Sequence, residues 1–203
     1  MAMTKVLISV AVLACSAAAF ASDDPFEGAK QDLARAACVQ VQFLSVLESD
    51  VFDVVDSVPG TAIIAADGRF AVSVGSEEYL YDNERLYTYS AQTDQVIIEK
   101  PSGDLFVGNE IALVTRLDRY YRTAPVAAGR EYRLTRTDTT GTQLPDELTV
   151  LLRPDSSAIE AFLYRDINGD LNRVVLLRQN LSEACADSAF IPAFPESAER
   201  IKL

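Results

Sequence analysis

Apolar and polar residues alternate at a spacing of two along most of this chain, and that pattern constrains its fold more than any other feature. In the run from Gly68 to Gly75, Phe70, Val72 and Val74 fall on one side of an extended strand. Small or polar residues fall on the other. Similar runs recur from Val39 to Gln179, separated by turn residues. They predict a large antiparallel sheet with one apolar face and one wet face. A face spread over about ten strands needs more cover than two short helices supply tightly. Either the sheet curls and leaves a pocket, or a ligand completes the core.

The punctuation between the runs sets the order of elements. Phe26 to Ala37 predicts a short amphipathic helix, with Phe26, Ala29 and Leu33 along one stripe. Val39, Val41 and Phe43 alternate with Gln40 and Gln42 and begin the sheet. Asp50 to Val58 reads as a bent connection, and Pro59-Gly60 starts a strand to Ala65. Short hairpins follow as far as Glu99. Asn109 can cap a helix running to Tyr121, with Ile111, Val114, Leu117 and Tyr121 at helical spacing. That helix is either plain packing or a mobile cover. Strands resume from Tyr132 to Gln179, and the proline-limited tail Phe190 to Pro195 suits an edge strand.

The first residues have the pattern of a secretion signal. Lys5 precedes an apolar stretch from Val6 to Ala14, too short to span a bilayer, and Ala19-Phe20-Ala21 is a small-x-small cleavage site. Cleavage there leaves one domain, residues 22–203, beginning at Ser22. Val12-Leu13-Ala14-Cys15 offers a second reading, a lipobox in which Cys15 is lipidated and tethers the protein to a membrane. With 18 basic against 30 acidic side chains, the net charge is −12. Such acidity argues against nucleic acid and against docking on anionic lipid. Cys38 and Cys185 form either one disulfide joining the two ends of the mature chain or two buried free thiols.

Chemistry is notable for what is missing. The chain has no histidine, so a Ser-His-Asp triad, a Cys-His pair and most zinc sites are excluded. No glycine-rich phosphate loop is present. Asp166-Ile167-Asn168-Gly169-Asp170 resembles the start of a calcium loop, but Leu171 and Leu177 occupy its sixth and twelfth positions. An Asn-Gly hairpin turn explains it better. No enzyme activity, metal or cofactor is expected.

Ordered pieces of the chain resemble the outer-membrane lipoprotein carrier family, LolA. They are Gly60-Thr61-Ala62-Ile63-Ile64, Gly68-Arg69-Phe70, Asp82 with Leu86-Tyr87 and Tyr89, and Gln95-Val96. Ile159 with Phe162, and Phe190 with Pro192, Phe194 and Pro195, continue the series. The resemblance implies a mainly β fold with a few helices: an open half-barrel of antiparallel strands, a helical lid and an apolar cavity between them. It also implies a periplasmic, monomeric carrier of acylated lipoproteins. Such a carrier takes its cargo from an inner-membrane ABC releasing complex and passes it to an outer-membrane receptor. The outer-membrane receptor LolB shares that fold and is lipidated, which suits the alternative at Cys15. The cavity residues expected on this basis are Val41, Phe43, Ile63, Phe70, Val72, Val74, Tyr87, Tyr89, Val150 and Phe162. The lid residues are Ile111, Val114 and Leu117. Many family members have Arg-Pro in the turn before the Phe, where this chain has Ala66-Asp67. If that arginine ties the lid shut, another device is needed here.

Overall fold

A computed structural model describes residues 24–49, 53–101, 115–127, 129–137 and 144–203. Helix α1 (Pro25–Arg35) comes first. Its start is specified locally. The Asp24 side chain caps it by accepting from the Phe26 N–H at 3.0 Å, Pro25 takes the first helical position, and Glu27 favours the positive end of the dipole. Phe26, Ala29 and Leu33 form its buried stripe.

Among the described residues, twelve strands form one open sheet. They are β1 (Cys38–Ser49), β2 (Val54–Ala65), β3 (Phe70–Val74), β4 (Glu77–Tyr81), β5 (Leu86–Ser90) and β6 (Gln95–Glu99), then β7 (Tyr121–Ala127), β8 (Glu131–Arg136), β9 (Glu147–Leu152), β10 (Ile159–Arg165), β11 (Leu171–Ser182) and β12 (Glu199–Lys202). Their spatial order is β12-β6-β5-β4-β3-β2-β1-β11-β10-β9-β8-β7. Neighbours are antiparallel except β12, which runs parallel to β6. The order leaves β12 and β7 as free margins, so the sheet does not close.

The sheet curls. Leu86 of β5 and Leu134 of β8 belong to the same buried cluster. These strands lie eight spacings apart in the order, roughly 38 Å in a flat sheet. The concave side of the half-barrel carries this shared cluster together with Phe26, Ala29 and Leu33 of α1. Gly60 assists at the centre of this concave face. It pairs with Phe43, whose ring lies across it so closely that a Cβ would meet ring carbons at 2.3–2.8 Å. Any larger residue at 60 would displace the ring.

Several boundaries differ from the sequence expectation. The sheet reaches back to Val54, so part of the expected bent connection is strand; residues 50–52 lie outside the described residues. Pro59 is tolerated inside β2 because it lies just past the last pair with β3, Gly60 with Val74, where no ladder N–H is required; its carbonyl still accepts the Gly75 N–H at 3.3 Å. The edge strand is Glu199–Lys202, not the segment Phe190 to Pro195. Asp187–Phe190 is instead a 3-10 turn. Of the expected helix to Tyr121, the described part is only the short α2 (Leu117–Tyr120), and Tyr121 already starts β7. The Asp166–Asp170 segment is a hairpin turn between β10 and β11. Gly169 has φ +87°, and the Asp166 carboxylate accepts the N–H groups of Asn168 and Asp170. No group of metal-binding side chains occurs among the described residues.

Candidate functional site

Strand pairing sorts the expected cavity residues by face. Ala62 opposes Val41 and Val72, Gly60 opposes Phe43 and Val74, and Ile64 opposes Phe70. Val150 pairs with Phe162 on the other arm of the sheet. Seven residues therefore share the concave face: Val41, Phe43, Phe70, Val72, Val74, Val150 and Phe162. All but Val74 are buried in one cluster with Phe26, Ala29 and Leu33 of α1, and half-buried Val74 packs against it. Tyr132 and Leu134 of β8 join them although sequence patterning had not singled them out. Leu117 of α2 is buried in the same cluster, whereas Ile111 and Val114 lie outside the described residues.

The other three residues face away. Tyr81 pairs with Leu86, so Leu86 continues the concave face and Tyr87 turns outward. Tyr87 and Tyr89 belong to a separate cluster on the convex side with Leu80, Val96 and Ala198. The Phe194 ring centre lies 6.0 Å from that of Tyr87 and 5.6 Å from that of Tyr89. Ile63 shares its pairing row with Gln40 and Ala71, also on the convex face. One face is therefore not wholly wet, because strands β4–β6 are apolar on both sides. The signal for this was available in the register. Counting pairs outward from Phe70 through the Asp82–Arg85 turn assigns Leu86, not Tyr87, to the inside.

The C-terminal segment that covers the convex cluster is tied down at two points. Cys38 and Cys185 are joined by a disulfide. Arg69 bonds Asp67 at 2.8 Å and Asp187 at 3.0 Å, and its guanidinium stacks over Phe190 at 4.6 Å.

Helix α1 closes the concave face through few contacts. Phe26 stacks on Tyr132 with ring centres 4.8 Å apart. The Tyr132 hydroxyl donates to Asp24 at 2.6 Å, so one carboxylate holds both the helix start and the sheet. At the other end of the stripe, Lys30 bridges Glu27 at 2.6 Å and Asp118 of α2 at 2.5 Å. Burial, and then the bond to Asp24, pushes the Tyr132 hydroxyl up to about 12. A free tyrosine ionises near 10. Between those values the unfolded chain loses the proton and the folded chain keeps it, so stability falls as pH rises from about 10 to about 12. Tyr132→Phe should remove that part of the alkaline loss, which urea titrations of both proteins at pH 8–11 would measure.

Two hollows open beside the C-terminal half of α1. One, of about 280 Å³, is lined by Lys30 and Leu117–Arg119 among others. The other, of about 220 Å³, has Leu33, Ala36, Val39 and Ile64 at its base. Both are walled by Ala34, Thr115 and Arg116. Each is smaller than the roughly 300–1,000 Å³ of ordinary ligand pockets.

No family model matches the chain, and no curated protein does. Solved structures do match in fold. An uncharacterized conserved protein from Thermus thermophilus has a TM-score of 0.51 and 10% identity, over 88% of this chain and 97% of that one. A LolA superfamily protein from Nitrosomonas europaea has a TM-score of 0.47 and 10% identity, over 83% and 96%. A DUF1329 family protein from Desulfovibrio piger has a TM-score of 0.44 and 11% identity, over 83% and 98%. These are likenesses of fold. The open antiparallel sheet with a helix over its concave face is the architecture that the LolA resemblance implies.

Proposed function

We propose that this protein binds acyl chains, as a periplasmic carrier of lipoproteins between the two membranes of the envelope. The observation that supports the proposal is a large, curved, apolar sheet on whose concave face helix α1 is laid. Helix α1 covers that face through its apolar stripe and the ties Asp24–Tyr132 and Lys30–Asp118. Lifting it would expose a wall of Val41, Phe43, Phe70, Val72, Val150 and Phe162. An acyl chain is a suitable replacement for the apolar stripe that left.

The energetics favour such a cover. A triacylated lipoprotein exposes roughly 45 methylenes, each costing about 0.8 kcal/mol in water. Unassisted passage through an aqueous space is therefore negligible. Binding that must also be reversible cannot recover that whole sum, because usable affinities saturate near −18 to −21 kcal/mol. A helix that competes with the cargo for the same surface lowers net affinity and makes release possible. The ABC releasing complex and the outer-membrane receptor are the partners that the LolA resemblance supplies for loading and unloading.

The decisive experiment mixes the purified mature chain with a triacylated lipopeptide and separates the products by size. A monomeric soluble complex is expected, as is release of lipoproteins from spheroplasts. Failure of both would remove the carrier proposal. The mature N-terminus decides between a free shuttle and a tether. Mass spectrometry is expected to find a start at Ser22, whereas a diacylated Cys15 would instead make the protein a membrane-anchored receptor of LolB type.

A further inference from the structure

Arg116 differs from the other cations near α1. Lys30 is neutralised by Glu27 and Asp118, and the Arg119 guanidinium lies over the Tyr120 ring. Arg69 and Arg136 have carboxylate partners of their own. The Arg116 side chain is half-buried yet, among the described residues, has no hydrogen-bond or ion-pair partner, in a chain with 30 acidic side chains. Burying part of a guanidinium without an acceptor is unfavourable, so the position calls for an explanation.

Its placement is sterically defined. The guanidinium lies against the turn between β2 and β3, where Gly68 has φ +99° and a Cβ would stand 2.7 Å from Nη2 of Arg116. A glycine there gives the arginine its space. From that position Arg116 walls both hollows. The smaller is lined by Leu33, Ala36, Val39 and Ile64 as well as by Arg116, so apolar side chains and a planar cation border one trough.

We propose that this trough takes one acyl chain and that Arg116 binds the oxyanion, carboxylate or phosphate, at that chain's head. The proposal rests on the acyl-binding part of the function above and adds a second class of ligand, single-chain anionic lipids, because the ester- and amide-linked chains of a lipoprotein carry no oxyanion at that point. A guanidinium presents paired donors that match carboxylate and phosphate oxygens. A neutral head would leave those donors unsatisfied. The net charge of −12 repels an anion elsewhere, whereas Arg116 offers it a local favourable contact.

The test is calorimetric titration of the full mature protein with decanoate, decyl phosphate, decanol and inorganic phosphate. The two anionic amphiphiles are expected to bind about tenfold or more tightly than decanol. Inorganic phosphate is expected not to bind measurably. Arg116→Gln should reduce the anionic amphiphiles to the affinity of decanol and leave decanol unchanged. Arg116→Lys should keep part of the preference, and unchanged thermal unfolding of both variants shows that the fold is intact. Tighter binding of decanoate assigns the site to free fatty acid, and tighter binding of decyl phosphate assigns it to phospholipid; either supports the proposal. Equal affinities for decanol and decanoate, a preference that survives Arg116→Gln, or inorganic phosphate binding as tightly as decyl phosphate overturns it while acyl binding stands. Failure of every chain-bearing probe to bind overturns both.

Discussion

Replacing Cys38 and Cys185 together by serine is expected to lower the unfolding free energy by about 2–5 kcal/mol. The bridge spans 147 positions and so restricts most of the unfolded chain. It also joins the start of β1 to the segment that leads toward the convex cluster of Leu80, Tyr87 and Val96. Denaturant titration with and without reductant would measure the effect. The wild-type protein under reductant should resemble the double variant, and the double variant should not respond to reductant. Equal stability with and without reductant would mean that the bridge contributes nothing.

Phe26→Ala is expected to cost about 3–5 kcal/mol, the range for truncating a fully enclosed aromatic. Phe26 has no exposed surface, and its ring stacks on Tyr132. Its second effect is more informative. Phe26 is the first residue of the stripe by which α1 holds the concave face, so its loss weakens the cover more than the sheet. Acyl binding should therefore become faster, and tighter where the variant remains folded. Stopped-flow uptake of a fluorescent fatty acid would report this. A variant that is destabilised but takes up the probe more slowly would argue that α1 is part of the binding wall and not its competitor.

Much of this architecture is legible in the chain because strand patterning is local. Phe70, Val72 and Val74 identify an inner face without any knowledge of their partners, and Asp24-Pro25-Phe26 specifies the start of α1. Faces fail to be legible where both sides of a strand are apolar. Alternation at Leu86-Tyr87-Thr88-Tyr89 favours the aromatic pair as the inward set, but the pairing of Tyr81 with Leu86 decides otherwise. The consumer of that outer face, Phe194, lies more than a hundred residues later. Arg116 is illegible for a similar reason. Nothing near it in sequence shows that Gly68, nearly fifty positions earlier, leaves it room.

The late position of Cys185 and β12 has a consequence for biosynthesis. Cys38 must wait for a partner 147 positions downstream, and the margin of β6 stays bare until Glu199–Lys202 arrives. A ribosome delivers those residues after the other eleven described strands. During nearly all of translation the nascent polypeptide thus carries an unfinished hydrogen-bonding margin beside a greasy convex patch, a combination that invites sticking to other chains. Whatever escorts the growing polypeptide has to shield that corner until Glu199–Lys202 has emerged.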